Sequence, residues 1–302
     1  MNDNVAETQG LTKKYGDRLA VNQVSMTVRR GEVYGFLGPN GAGKTTTLRM
    51  MLGLVRPTAG SASILGRPAG RSEVTERVGA LIEGPGFYPY LTGRDNLRVM
   101  ARYQGLGPAD VEEALRRVDL VDRGNDRFKS YSLGMKQRLG VAAALMGDPD
   151  LVVLDEPTNG LDPAGMADMR RLIVELARGG QTVLLSSHLL DEVQEICDRV
   201  GVIADGVLLR ESTVSELRGG ASLSVRGLPV DRALAVAMRV AGDEAVRLVG
   251  DRVLLDLEPS QAPELTRALV ADGIDVHEVS TVERTLEEVF FEMTRDNEME
   301  IV

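Results

Sequence analysis

The sequence predicts two domains, an α/β domain followed by a small α+β domain. Its 302 residues exceed the roughly 100 to 200 residues that one domain usually holds. Continuous runs of apolar or small residues beside turn residues, at 151–154 and 182–186, are typical of parallel strands that helices cover on both faces. The glycine pair 219–220 marks a boundary between them, so we place the domains at 1–218 and 219–302.

The first domain begins with short apolar runs separated by turns. Residues 21–28 and 32–37 are predicted strands, and 45–54 a helix. From about 87 to 147 the periodicity becomes mostly helical, which predicts a helical subdomain. The predicted helices in and after this subdomain cover 96–104, 108–118 with Pro108 in its first turn, 132–145, 161–176 and 190–200.

The second domain is predicted to alternate strands and helices. The order is strand, helix, two strands around Gly250, helix, strand and a last helix at 285–294. The first six of these elements fall at 222–227, 231–240, the two strands around Gly250, 263–272 and 275–279. A strand-helix-strand-strand-helix-strand order predicts a ferredoxin-like module.

Charge and composition exclude several classes of protein. Apolar residues make up 43% of the chain and charged residues 26%, which is typical of a globular protein rather than a disordered or fibrous one. A net charge of −10 argues against nucleic acid as a partner. Residues 219–302 hold 17 acidic and 8 basic residues, a net of −9, which leaves −1 for 1–218. The acidity therefore belongs to the second domain.

Neither a membrane span nor a secretory signal is predicted. The longest stretch without Asp, Glu, Lys or Arg, 179–190, has twelve residues, whereas a spanning helix needs about 20. The first ten residues contain Asp3 and Glu7 and lack a basic start followed by an apolar run. We therefore expect the protein to remain in the cytoplasm.

A glycine-rich loop follows the apolar run at 33–37 and precedes a predicted helix. Its backbone N–H groups and the positive end of the helix would surround phosphate oxygens. Lys44 would reach the β- and γ-phosphates, and the Thr45 hydroxyl would bind Mg²⁺. The predicted phosphate site comprises Gly38, Pro39, Asn40, Gly41, Ala42, Gly43, Lys44, Thr45 and Thr46.

The apolar run at 151–154 ends in two carboxylates, Asp155 and Glu156. Asp155 is predicted to hold Mg²⁺ directly or through water, and Glu156 to polarise an attacking water. Such a pair is weak evidence by itself. Together with the phosphate loop it predicts a hydrolase that cleaves a nucleotide such as ATP.

The order and spacing of these motifs resemble the ATPase subunits of ATP-binding cassette (ABC) transporters. The resemblance covers about residues 8–218 and implies a P-loop ATPase core with a helical subdomain. The aromatic turn at 87–93 resembles the bacterial drug, bacitracin and lantibiotic export branch, and 285–290 resembles the ending of many such subunits. The remaining shared motifs are 132–138, Asp155-Glu156-Pro157-Thr158, Gly160-Leu161-Asp162 and Ser187-His188.

The resemblance implies a role for several further residues around ATP. Tyr15 would stack on adenine, although it could instead be an exposed turn residue. Glu156 would be the general base, and His188 would contact the γ-phosphate. Glu83 stands where the family usually has a glutamine that reaches Mg²⁺. A carboxylate can bind Mg²⁺, but it adds negative charge and, when ionised, cannot donate a hydrogen bond.

Three residues are implied to act across a dimer of ATPase subunits. Ser132 and Gly134 would open a helix whose N-terminus meets the ATP of a second copy. Asp162 would communicate between the two sites. The family usually has Leu-Ser-Gly-Gly-Gln where this chain has Tyr-Ser-Leu-Gly-Met at 131–135. Slow or partner-dependent hydrolysis therefore stays open.

The resemblance thus implies the ATP-hydrolysing subunit of an exporter, working as a homodimer with a separate membrane permease. The chain would lie on the inner face of the cell membrane, with Glu83 and 87–90 at the permease. The aromatic residues at 87–90 could instead be ordinary packing residues. The alternative is a soluble ATPase of the same superfamily that acts in translation or DNA repair. Such proteins commonly have tandem cassettes, a long coiled-coil insertion or basic extensions, and this sequence shows none of these features. Glu156 and His188 argue against a third possibility, a module that binds ATP without cleaving it.

Overall fold

The computed structural model describes residues 3–218, 222–282, 286–287 and 289–290. The chain divides into two compact units, Met1–Ser212 and Thr213–Val302. The glycine pair 219–220, proposed as the boundary, lies outside the described residues, and so does most of the predicted helix at 285–294.

The first unit contains the elements that carry the predicted motifs. Its strands are β1 (Asn4–Tyr15), β2 (Arg18–Val24), β3 (Thr27–Arg29), β4 (Val33–Leu37), β5 (Ala59–Ile64), β6 (Arg67–Pro68), β7 (Val78–Leu81), β8 (Leu151–Asp155), β9 (Thr182–Ser187), β10 (Arg199–Ala204) and β11 (Val207–Thr213). Its helices are α1 (Lys44–Met51), α2 (Ser72–Thr75), α3 (Gly93–Tyr103), α4 (Pro108–Arg117), α5 (Leu133–Leu145), α6 (Pro163–Arg178) and α7 (Leu190–Ile196). The predicted helices at 45–54, 96–104, 108–118, 132–145 and 161–176 correspond to α1, α3, α4, α5 and α6.

A six-stranded sheet forms the centre of this unit, in the order β11-β10-β4-β9-β8-β7. The pairs from β10 to β7 are parallel. Every residue of β4, β8 and β9 is buried, as the continuous apolar runs predict. Because these strands are parallel and adjacent, their carboxyl ends meet at one edge of the sheet.

The predicted single strand at 21–28 is wrong, because the strand is interrupted at 25–26, between β2 and β3. A second sheet has the order β2-β1-β5-β6, and β3 also pairs with β1. Between β2 and β3 the hydroxyl of Thr8 donates to the Val24 carbonyl at 3.0 Å and accepts the Met26 N–H at 3.0 Å. The side chain of Thr8 thus replaces the missing ladder bonds at the break.

The predicted helix at 190–200 is also wrong at its end. Helix α7 stops at Ile196, and β10 begins at Arg199, opposite Tyr34 in the parallel register with β4. The Asp198 carboxylate accepts the Val33 N–H at 2.8 Å, which ties the chain to the sheet. Pairing with a buried strand therefore overrides the helical periodicity.

The second unit has the strand-helix-strand-strand-helix-strand order predicted from the sequence. After α8 (Val214–Arg218) come β12 (Ser222–Leu228), α9 (Val230–Ala241), β13 (Val246–Val249), β14 (Arg252–Leu255), α10 (Ala262–Ala271) and β15 (Asp275–Val282). The sheet order is β13-β14-β12-β15, with antiparallel pairs throughout. Residues of β12, β14, α9 and α10 form its buried core, among them Leu223, Val253, Val236 and Leu265. The predicted ferredoxin-like arrangement is confirmed.

Within the part of the chain that the structure describes, no helix is both long and apolar enough to cross a membrane.

Candidate functional site

Three adjacent strands of the central sheet deliver the predicted site residues to one edge. The glycine-rich loop follows β4, Asp155 is the last residue of β8, and His188 follows β9 directly. These groups are far apart in the sequence, so the parallel order of the strands brings them together.

The glycine-rich loop needs glycine for two physical reasons. Gly41 and Gly43 have φ values of +84° and +105°, which only glycine adopts readily. A Cβ on Gly43 would also lie 2.6 Å from the Ala20 carbonyl oxygen. Helix α1 begins at the next residue, Lys44, so the loop leads into a helix N-terminus as predicted.

Lys44 is a buried cation with three partners. Its Nζ donates to the Gly38 carbonyl at 2.6 Å and to the Pro39 carbonyl at 3.1 Å. It also lies 3.1 Å from Oε1 of Glu156, and its side chain is 4% exposed. A buried charge requires such compensation, so the loop carbonyls and Glu156 hold the ammonium group at the mouth of the loop.

Asp155 stands between two hydroxyl groups. Its Oδ2 accepts a hydrogen bond from the Thr45 hydroxyl at 2.8 Å, and its Oδ1 accepts one from the Ser186 hydroxyl. Thr45 and Asp155 therefore present two neighbouring oxygen ligands at the phosphate loop. Mg²⁺ binds through one or two protein oxygens together with substrate phosphates, and this pair fits that requirement.

Glu156 connects the loop to β9. Its Oε2 lies 2.6 Å from Nδ1 of His188, while its Oε1 faces Lys44. Its backbone has a φ of +48°, a left-handed conformation that is uncommon for residues other than glycine. The structure thus brings together Lys44, Thr45, Asp155, Glu156 and His188.

A cleft of about 470 Å³ opens at this edge. Tyr15, which is 49% exposed, contributes to its wall, with Nζ of Lys13 5.0 Å from the ring centroid. An aromatic face beside a phosphate loop suits a nucleotide base. The cleft is lined by Tyr15, Arg18, Ala20, Asn40, Gly41, Gly43, Lys44, Thr45, Thr46 and Glu156.

Ser132, Gly134 and Asp162 lie in a different pocket, of about 480 Å³. Ser132 caps α5 by accepting the Met135 N–H at 3.2 Å, and Asp162 caps α6 by accepting the Gly165 N–H at 2.8 Å. These three residues do not line the cleft that contains Lys44. A single copy of the chain therefore presents two separate groups of predicted site residues.

Glu83 does not line the cleft either. It has a φ of +60°, its side chain is 61% exposed, and it forms an ion pair with Arg49 of α1. The sequence did not indicate this partner. Arg49 offsets the negative charge that a carboxylate brings to this position.

A second buried carboxylate, Glu192 of α7, lies next to the site. It accepts the Ser187 hydroxyl. Burial raises the pKa of the Glu192 carboxyl above its ordinary value of 4.5, and the hydrogen bond from Ser187 opposes part of that rise. The folded protein therefore holds this proton more tightly than the unfolded chain does.

Replacing Glu192 with glutamine is expected to make stability less dependent on pH. The stability contributed by a group with a raised pKa is fully present below its ordinary pKa and is lost as pH rises through its folded pKa. Relative to the wild type, the Glu192→Gln variant should therefore gain stability as pH rises above 4.5, the ordinary pKa of this carboxyl. Thermal unfolding midpoints at several pH values measure the difference, and a difference independent of pH would contradict the prediction.

Sequence reasoning missed three residues that contact this region. Arg18 contributes to the cleft wall, Ser186 bonds to Asp155, and Glu192 bonds to Ser187. Ser186 lies inside the run that predicted β9, and every residue of that strand is buried. Because a buried hydroxyl needs a hydrogen-bond partner, its position in this run could have indicated a contact with a neighbouring strand. Arg18 and Glu192 are ordinary surface-type residues in the sequence and gave no such signal.

Comparison with known proteins agrees with this geometry. Residues 21–159 match the ABC transporter family. A bacitracin transport ATP-binding protein from Bacillus licheniformis is 38% identical over 96% of this chain and 97% of its own length. A daunorubicin resistance ATP-binding protein from Streptomyces coeruleorubidus is 37% identical over 98% of each chain.

A solved structure of an ATP-binding subunit of an ABC transporter is 30% identical, with a TM-score of 0.63 over 71% of this chain and 92% of its own. The predicted family and fold are confirmed. The chain belongs to the ATP-binding subunits of ABC transporters, which are ATPases.

Proposed function

We propose that this chain couples ATP binding and hydrolysis in a homodimer to a separate membrane permease that exports a drug or antibiotic. The observation that carries the proposal is the meeting of Lys44, Thr45, Asp155, Glu156 and His188 at one edge of the sheet. Together they supply a phosphate ligand, oxygen ligands for a cation and a base held by a histidine.

The contacts support a proposed role for each of these side chains. Lys44 binds the β- and γ-phosphates by exchanging Glu156 for phosphate oxygens. Thr45 and Asp155 hold Mg²⁺, which neutralises charge on the phosphates when bound. Glu156 takes a proton from the attacking water, and His188 holds the Glu156 carboxylate in place and contacts the γ-phosphate. Tyr15 stacks on adenine.

The separate pocket with Ser132, Gly134 and Asp162 supports a dimer. Those residues do not line the cleft of their own chain. Ser132 and Gly134 lie at the N-terminus of α5, where backbone N–H groups and the helix dipole favour an anion. In the proposed dimer each copy offers this helix end to the γ-phosphate that its partner binds.

Glu83 is proposed as a further Mg²⁺ ligand, which requires it to move from its place outside the cleft. Its pairing with Arg49 lowers the electrostatic cost of a carboxylate beside phosphates. We also propose that Glu83 lies near the permease, beside the aromatic turn at 87–90. In that turn the side chains of Tyr88 and Tyr90 are 49% and 66% exposed. The helical subdomain at 87–147 forms the rest of that contact.

The remaining assignments concern location and substrate. Residues 1–218 form the ATPase domain and 219–302 an accessory domain, and the protein lies on the cytoplasmic face of the cell membrane. The two relatives described above are named for bacitracin transport and daunorubicin resistance. Those names support an antibiotic or drug as the exported compound.

Membrane fractionation tests the coupling to a permease. The full chain is produced alone and together with the multispanning membrane protein encoded by the neighbouring gene. We expect it to sediment with membranes only in the second case, and to hydrolyse ATP faster there. If it stays in the supernatant with every candidate permease, the proposed transport function is wrong.

A further inference from the structure

The Ser186 hydroxyl lies between the two carboxylate residues of the site. Ser186 is fully buried near the end of β9, directly opposite Asp155 in the parallel register with β8. Its hydroxyl donates to Oδ1 of Asp155 and accepts the Glu156 N–H at 3.0 Å. One side chain thus contacts both the proposed metal ligand and the proposed base.

In these contacts the Ser186 hydroxyl donates one hydrogen bond and accepts another. A serine hydroxyl has one hydrogen to donate and two lone pairs to accept. The Ser186 hydroxyl donates its hydrogen to Oδ1 of Asp155. Oδ2 of Asp155 then faces Thr45 and lies 2.8 Å from the Thr45 hydroxyl. The hydroxyl therefore fixes the rotation of the Asp155 carboxylate, so that its second oxygen faces the phosphate loop.

The second contact supports a strained backbone. Glu156 has a φ of +48°, and a non-glycine residue persists there only when its surroundings hold it. Its N–H is shared between the Ser186 hydroxyl and the Ser186 carbonyl, at 3.0 Å and 3.2 Å. This backbone conformation directs the Glu156 carboxylate to Lys44 and His188.

The neighbouring serine shows that burial alone does not produce these contacts. Ser187 is also buried. Its hydroxyl donates to Glu192 and accepts the Leu189 N–H at 3.0 Å, so it contacts neither Asp155 nor Glu156. The two serines therefore form a matched pair for experiment.

We propose that Ser186 is a positioning residue that orients Asp155 toward Mg²⁺ and holds Glu156 in its catalytic conformation. This inference rests on the proposed ATP site, and it adds to that site a residue that touches neither nucleotide nor metal. Its effect passes entirely through Asp155 and Glu156.

Two measurements on the full chain test the proposal. Binding of a fluorescent ATP analogue is followed as Mg²⁺ is titrated, and kcat is measured at saturating Mg²⁺ and ATP. We expect Ser186→Ala to raise the Mg²⁺ concentration for half-maximal binding about tenfold and to lower kcat about tenfold, because a hydrogen bond to a charged group is lost. Ser187→Ala should keep the wild-type Mg²⁺ dependence.

Ser186→Cys provides a second variant of nearly the same volume, with a thiol that is only a weak donor. We expect it to fold with a near-wild-type unfolding midpoint and to show the same two changes. Wild-type Mg²⁺ dependence and kcat in both folded variants would overturn the role of Ser186 and leave the proposed function intact. Absence of Mg²⁺-dependent nucleotide binding by the wild type would overturn the proposed function itself.

Discussion

Replacing Glu156 with glutamine is expected to lower the rate of ATP hydrolysis by about 10²- to 10⁴-fold while ATP still binds. Glutamine keeps the size of the side chain but cannot accept a proton from water. Lys44 retains its bonds to the carbonyls of Gly38 and Pro39, so the phosphate loop stays in place. ATP should accumulate uncleaved, and the proposed dimer should persist.

Single-turnover phosphate release measures the chemical step, and size-exclusion chromatography with ATP measures the dimer. Glu175→Gln is the matched control, because Glu175 lies exposed on α6. We expect the control to hydrolyse ATP at the wild-type rate. Hydrolysis at that rate by the Glu156→Gln variant would remove Glu156 as the base.

Replacing Lys44 with alanine is expected to weaken Mg·ATP binding about 100-fold, since truncating one partner of a buried charge pair costs about 2 to 5 kcal/mol. The variant loses the cation that meets the phosphates. It also leaves the Glu156 carboxylate without the ammonium group 3.1 Å away, which adds repulsion against an anionic ligand.

Titration with a fluorescent ATP analogue gives the dissociation constants. Lys129→Ala serves as the control, because the Lys129 side chain is exposed and does not line the cleft. An unchanged affinity in the Lys44→Ala variant would show that the backbone of the loop binds phosphate without the lysine.

The phosphate loop and the two carboxylates could be predicted from the sequence because each is a local pattern. The glycines of the phosphate loop allow the positive φ values at Gly41 and Gly43. The apolar run that ends in Asp155 forms a buried strand that ends at the edge of the sheet. Each of these patterns involves only residues that are close together in the sequence. It therefore predicts both the type of secondary-structure element and the residues at which that element lies.

Contacts between distant segments could not be predicted in the same way. Ser186 and Asp155 meet only because β8 and β9 pair in parallel register, and the Arg49 partner of Glu83 depends on how α1 packs. The end of α7 was misplaced for a similar reason. The pairing of Arg199 with Tyr34 is a property of the sheet, and the local periodicity carries no information about it.

The strand order of the second unit decides where the chain can be shortened. The last strand, β15, lies beside β12, which pairs with β14 on its other side. A protein truncated after Ile274 would lose β15 and leave one side of β12 unpaired, and open edges of this kind promote aggregation. A truncation that ends at Ser212, where the two units divide, removes the whole sheet and avoids that exposed edge.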